Sequence, residues 1–141
     1  MALAGDILLD RRGENNPRAE FGYAVPAGEI VYRGSLVALN VAGNIVRVQT
    51  AGALGFLGVA NKRVDNRSGS AASTDLVVPE RGTFAIVVPI ATFTNVAAAA
   101  TVYAVDDGTV TLTNTGSLLA IGTLAGIENG ATWVNLGRIV D

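Results

Sequence analysis

The chain contains neither cysteine nor histidine. The first absence removes disulfides, thiolate nucleophiles and cysteine-held metals together. The second removes the commonest general base and the commonest metal ligand, and with them Ser-His-Asp and Cys-His catalysis. Aromatic residues are scarce, at 6%, so the interior has to be filled by Val, Leu, Ile and Ala, which suit pleated faces. Charge is thin as well, at 16% of residues and a net of −2. That balance offers no clustered positive surface of the kind that displaces counterions from phosphates, so nucleic acid is not an expected partner. Gly-x-Ser-x-Gly, Gly-x-x-x-x-Gly-Lys and Gly-x-Gly-x-x-Gly motifs do not occur.

Two further absences concern membranes and export. The opening Met1-Ala2-Leu3-Ala4-Gly5-Asp6 has no basic stretch and meets Asp6 before an apolar run develops, so it does not read as a secretory signal. Synthesis and folding in the cytoplasm are expected. The run from Gly82 to Val105 carries no charge and is nominally long enough to cross a bilayer. Pro89, Thr92, Thr94 and Asn95 interrupt it, and its Ile86, Val87 and Val88 followed by Phe93 suit a buried strand better than a lipid-facing helix.

What is present is β-patterned. The 141 residues fit one domain with one core. From Gly28 onward, short β-branched runs alternate with turn residues at the spacing of a sandwich or barrel. Strands are expected at Glu29–Tyr32, Ser35–Leu39, Ile45–Val48, Phe56–Ala60, Asp75–Val78, Thr83–Val88, Thr101–Val105, Thr109–Leu112, Leu119–Gly122 and Thr132–Leu136. Asp107-Gly108 and Asn129-Gly130 favour type I′ hairpins, and the alanine run Val96–Ala100 is readable as a short helix or a packed loop. The fold class is all-β: a single-domain β-barrel or β-sandwich over residues 28–141, preceded by an extended N-terminal arm, residues 1–27.

The arm differs in texture from the rest. Asp10, Arg11, Arg12, Glu14, Arg18 and Glu20 crowd among Gly13, Asn15, Asn16 and Pro17 without helical or strand periodicity. It reads either as a loose terminus or as a strap that orders on docking. In the strap reading Ile7, Leu8 and Leu9 bury area against a partner, while Arg11, Arg12 and Arg18 pair with its acids.

Chemistry-bearing groups elsewhere are few. Asp106 and Asp107 are adjacent, so a strand would send them to opposite faces; with Gly108 they read as a turn, not as a glycosidase pair. Trp133 lies in an alternating run and is expected in the core. Gly52, Gly55 and Gly58 suggest a bulge or a close backbone approach. Nine of the ten basic residues are Arg, a bias that favours protein contact, and Lys62, Arg63 and Arg67 flank a Gly- and Ser-rich stretch, 66–73, that reads as a mobile solvated loop. A faint echo aligns 52–58 with 116–122 at an offset of 64; coincidence in a Gly- and Val-rich chain is favoured slightly over duplication of a β-module.

The order of Gly28-Glu29-Ile30-Val31-Tyr32-Arg33-Gly34-Ser35-Leu36-Val37, Leu57-Gly58-Val59-Ala60, Gly82-Thr83-Phe84, Val102-Tyr103-Ala104, Asp106-Asp107-Gly108-Thr109-Val110 and Ile121-Gly122 resembles a family of small phage proteins, the capsid cement or head decoration proteins. The resemblance covers most of the chain after Gly28 and rests on turn and strand signatures. It implies a β-barrel or sandwich on the capsid exterior of a virion, contacting the phage major capsid protein and assembling as a homo-oligomer, a trimer favoured. No catalytic residue, cofactor or metal comes with it, so the expectation is a structural protein and not an enzyme, with no membrane partner. The alternative is a tail-associated or fibre-type β-module that binds a host glycan or another tail protein.

Overall fold

The computed structural model describes residues 2–7, 11–12, 21–86, 99–114, 116, 118–128 and 131–136. Within them the chain forms strands and turns and no helix. Fourteen strands run in order: β1 Arg11–Arg12, β2 Tyr23–Ala24, β3 Ile30–Val31, β4 Leu36–Asn40, β5 Ile45–Arg47, β6 Ala53–Ala60, β7 Val64–Asp65, β8 Leu76–Val77, β9 Pro79–Glu80, β10 Gly82–Ile86, β11 Thr101–Asp106, β12 Thr109–Thr111, β13 Leu119–Glu128 and β14 Ala131–Leu136. All pairings are antiparallel, which fits runs joined by short turns. A six-stranded sheet in the order β1-β10-β14-β13-β11-β12 curls into half a barrel. A four-stranded sheet, β5-β4-β6-β9, joins it through the ribbon from β9 into β10, and β2-β8 and β3-β7 form two small pairs.

Two apolar clusters hold this together rather than one core. The larger lies between the two main sheets and joins Leu36, Ala38 and Val59 of the four-stranded sheet to Phe84, Ile86, Val102, Val110, Ile121, Leu124, Val134 and Leu136 of the six-stranded one. The smaller covers the opposite face of the four-stranded sheet with Val25, Val31, Val37, Ile45, Ala60, Val64 and Val77. Successive residues of a strand point to opposite faces, so Leu36 and Ala38 serve one cluster and Val37 the other. The unbroken apolar run Leu36-Val37-Ala38-Leu39 is the sequence signature of a strand covered on both sides. Each fully buried Leu or Val contributes about 1.5–3 kcal/mol of transfer free energy. The body reaches back before Gly28, since Tyr23–Ala24 pairs with β8 and Val25 is fully buried.

The sequence echo corresponds to a structural repeat. In one unit β4 makes a hairpin with β5 and pairs on its other edge with β6; in the other, β11 does the same with β12 and β13. The irregularities match as well. Val37↔Gly58 followed by Ala38↔Phe56 skips Leu57, and Val102↔Gly122 followed by Tyr103↔Ala120 skips Ile121. Gly58 packs on the backbone of β9 and Gly122 on that of β14, each so closely that a Cβ would collide with a carbonyl oxygen, of Glu80 and Asn135 respectively. Such bulges bend the strand and raise its twist, which a curled sheet needs.

Several local expectations are corrected. Asp106↔Thr109 closes a two-residue hairpin over Asp107-Gly108, but neither residue has positive φ, so the turn is not type I′. Gly108 N–H instead donates to Asp106 Oδ1 at 2.9 Å, an Asx-type closure. Trp133 is half-buried on the outer face of β14, because the alternation sends Thr132, Val134 and Leu136 inward. The 66–73 loop is pinned: Asn66 Nδ2 donates to Val25 O and Ala71 O, and Ser73 exchanges two hydrogen bonds with Val25. Asn129-Gly130, Val87–Val88 and 96–98 of the alanine run lie outside the described residues.

Candidate functional site

Three features stand out on this frame: the seating of the N-terminal segment, a buried carboxylate that holds it, and a group of arginines around one tyrosine. Of the six residues singled out as partner contacts, Ile7 is described in full. Its N–H donates to Arg33 O at 2.9 Å, and its side chain presses on Gly34, whose φ of 87° and lack of a Cβ permit the approach. Arg11 and Arg12 contribute their backbone to β1, opposite Phe84 and Thr83 of β10. Leu8, Leu9 and Arg18 lie outside the described residues.

Asp107 is the anchor. Its carboxylate has no solvent exposure, and it accepts hydrogen bonds from Ser35 Oγ at 2.9 Å, Leu3 N at 3.0 Å and Gln49 Nε2 at 3.2 Å. Its backbone carbonyl accepts Leu36 N–H at 3.0 Å. Four stretches distant in sequence therefore meet on one residue: the N-terminal segment, the start of β4, the link after β5 and the β11–β12 hairpin. A buried carboxylate demands such a set of donors, and here neutral groups supply it. Arg33 N–H donates to Asp6 Oδ1 at 3.1 Å, which fixes the same segment a second time.

Tyr32, almost fully buried, carries two guanidinium groups against its ring, Arg47 at 5.7 Å and Arg63 at 5.5 Å from the centroid. Arg47 Nη1 stands 3.9 Å from Asp107 Oδ2, an ion pair without a hydrogen bond, and its buried Nε has no hydrogen-bond partner among the described residues. The neighbouring acids are engaged elsewhere. Both oxygens of Asp65 accept from Arg67, at 2.9 and 2.7 Å, and Asp75 pairs with Lys62. The Arg67 guanidinium holds the Asp65 carboxyl well below its ordinary range, to about 2, and the same pairing raises Arg67.

The end of the four-stranded sheet beside the β4–β5 turn is apolar and uncharged. Asn40 opposes Ala53, with the turn residue Val41, 86% exposed, following the first and Leu54, 61% exposed, following the second. Leu54 is the residue skipped between Leu39↔Gly55 and Asn40↔Ala53, so a bulge aims it outward. No charged residue occurs between Gly34 and Val46 or between Val48 and Asn61.

A crevice of about 90 Å³ lies under Ile7, between Arg33, Glu80 and Phe84. Ligand sites for drug-sized molecules run to about 300–1,000 Å³, so this is a seam under the N-terminal segment rather than a substrate pocket. Among the described residues no three acidic, histidine or cysteine side chains gather as metal ligands, and no helix is long and apolar enough to cross a membrane.

The sequence reading missed the Asp107 anchor and the Tyr32 array. The first was hidden by Asp107-Gly108 looking like an ordinary turn. For the second a signal existed: between residues 30 and 74, Arg33, Arg47, Lys62, Arg63 and Arg67 face Asp65 as the lone acid in a chain of net −2. Comparison with protein-family models, with curated proteins and with solved structures gives no match.

Proposed function

We propose that the protein is a structural subunit that binds the outer surface of a phage capsid and stabilises the shell of the major capsid protein, acting by binding and not by catalysis. The observation that carries this reading is the ordered set of turn and strand signatures from Gly28 to Gly122 that resembles the cement and decoration proteins. Two features of the fold support it. The uncharged end with Val41 and Leu54 gives an apolar surface for docking, and the seated N-terminal segment leaves the edge of β10 partly covered instead of open to self-association. Many weak copies on a lattice gain their hold by multivalency, which needs no deep pocket. Homo-oligomers, with a trimer favoured, fit such a lattice.

Purified protein added to expanded heads should bind them and raise their rupture temperature; its absence from purified virions would contradict the proposal. Antibody labelling in the electron microscope separates this reading from the tail-associated alternative by the site of the label.

A further inference from the structure

Among the described residues, neither guanidinium beside Tyr32 makes a hydrogen bond to an acid, and Arg47 has only the 3.9 Å ion pair with Asp107. The Arg47 and Arg63 guanidiniums lie 5.7 and 5.5 Å from the ring centroid, within cation–π range, which favours conformations that keep them at this ring. Arg47 Nε is buried, so a partner can meet this side chain, 22% exposed, only through its terminal nitrogens, whereas Arg63 is exposed. The described acids of this region are already engaged: Asp107 accepts from Ser35, Leu3 and Gln49 with Arg47 Nη1 3.9 Å from its Oδ2, Asp65 accepts from Arg67, and Asp75 is paired with Lys62.

We propose that Tyr32, Arg47 and Arg63 form a docking site for the carboxylates of an acidic segment on a partner protein. The planar guanidinium fork matches carboxylate geometry and binds it with charge-assisted hydrogen bonds. Phosphate would fit the same fork, but a polyphosphate such as nucleic acid would meet a chain of net −2 and pI about 5.0, whose long-range field opposes it. Discrete carboxylates placed within reach of two guanidiniums avoid that cost. The site is independent of the capsid reading, because its test contains no phage head.

The test follows the arginine Nε–Hε NMR signals of the full chain at low salt, titrated with an end-blocked peptide of alternating glutamate and glycine. The Arg47 and Arg63 signals should move saturably, and the matching glutamine peptide should leave them in place. Arg63→Gln, an exposed change, should weaken the peptide by about fivefold or more, while Arg81→Gln, which removes the same charge elsewhere, should not. Absence of saturable movement overturns the proposal. So does equal weakening by the two variants, which would reduce the effect to net charge. Equal response to inorganic phosphate or to duplex DNA would replace the carboxylate site by a general anion site, and movement with protein concentration alone would replace the partner by a second copy of the chain.

Discussion

Replacing Asp107 by alanine should loosen the junction on which four parts of the chain meet. The loss would leave Ser35 Oγ, fully buried, without the carboxylate it donates to, and would strip the acceptor from Leu3 N and Gln49 Nε2. A buried donor left unmatched costs about 1–3 kcal/mol, and hydrogen bonds to a charged acceptor about 1.5–3 kcal/mol each. Leu3 and Gln49 lie near the surface, where water replaces much of what they lose, so Ser35 dominates. We therefore expect about 2–4 kcal/mol of destabilisation for Asp107→Ala. Asp107→Asn keeps the shape and one acceptor oxygen for Leu3 and Gln49, so it should lose only about 1 kcal/mol. Urea unfolding followed by circular dichroism measures both, provided the denaturant slope is unchanged. An Asp107→Ala variant within about 0.5 kcal/mol of the parent would refute the assignment of Asp107 as the anchor.

Alanine at Gly58 or at its repeat counterpart Gly122 should cost about 2–4 kcal/mol by forcing β6 from β9 or β13 from β14, whereas Gly55→Ala, with open space around it, should be near neutral; thermal melts of the three would show whether the two units bear the same constraint. Asp65 should titrate at about 2 by carboxyl NMR and return toward 3.8 in Arg67→Gln. Because the folded value lies below the unfolded one, whatever this exposed pair adds to stability is present above pH 3.8 and is lost as pH falls toward about 2. Val41→Asp with Leu54→Asp should leave the melting temperature unchanged, since both side chains are in solvent, yet weaken binding to heads by about tenfold or more, measured by co-sedimentation.

The all-β class and most strand positions were legible because they rest on local signals, alternation and turn residues. Ile45–Arg47, Thr109–Thr111 and Ala131–Leu136 fall inside or within one residue of the expected runs. What was not legible depends on pairings far apart in sequence. Whether Val37 faced the same cluster as Leu36 required knowing that β2, β3, β7 and β8 cover the second face. Trp133 looked like a core residue by type, but register set its face through Val134 and Leu136. Asp107 became an anchor only when Ser35, 72 positions away, and Leu3, 104 away, were brought to it. The 64-residue echo was visible in sequence, and the matching bulges at Leu57 and Ile121 gave it structural content.

The proposed capsid role is tested most directly by imaging expanded phage heads that lack the protein after incubation with it. The account predicts added density at fixed lattice positions on the outer surface, together with a higher rupture temperature. Heads that stay bare at saturating protein, with an unchanged rupture temperature, would contradict it.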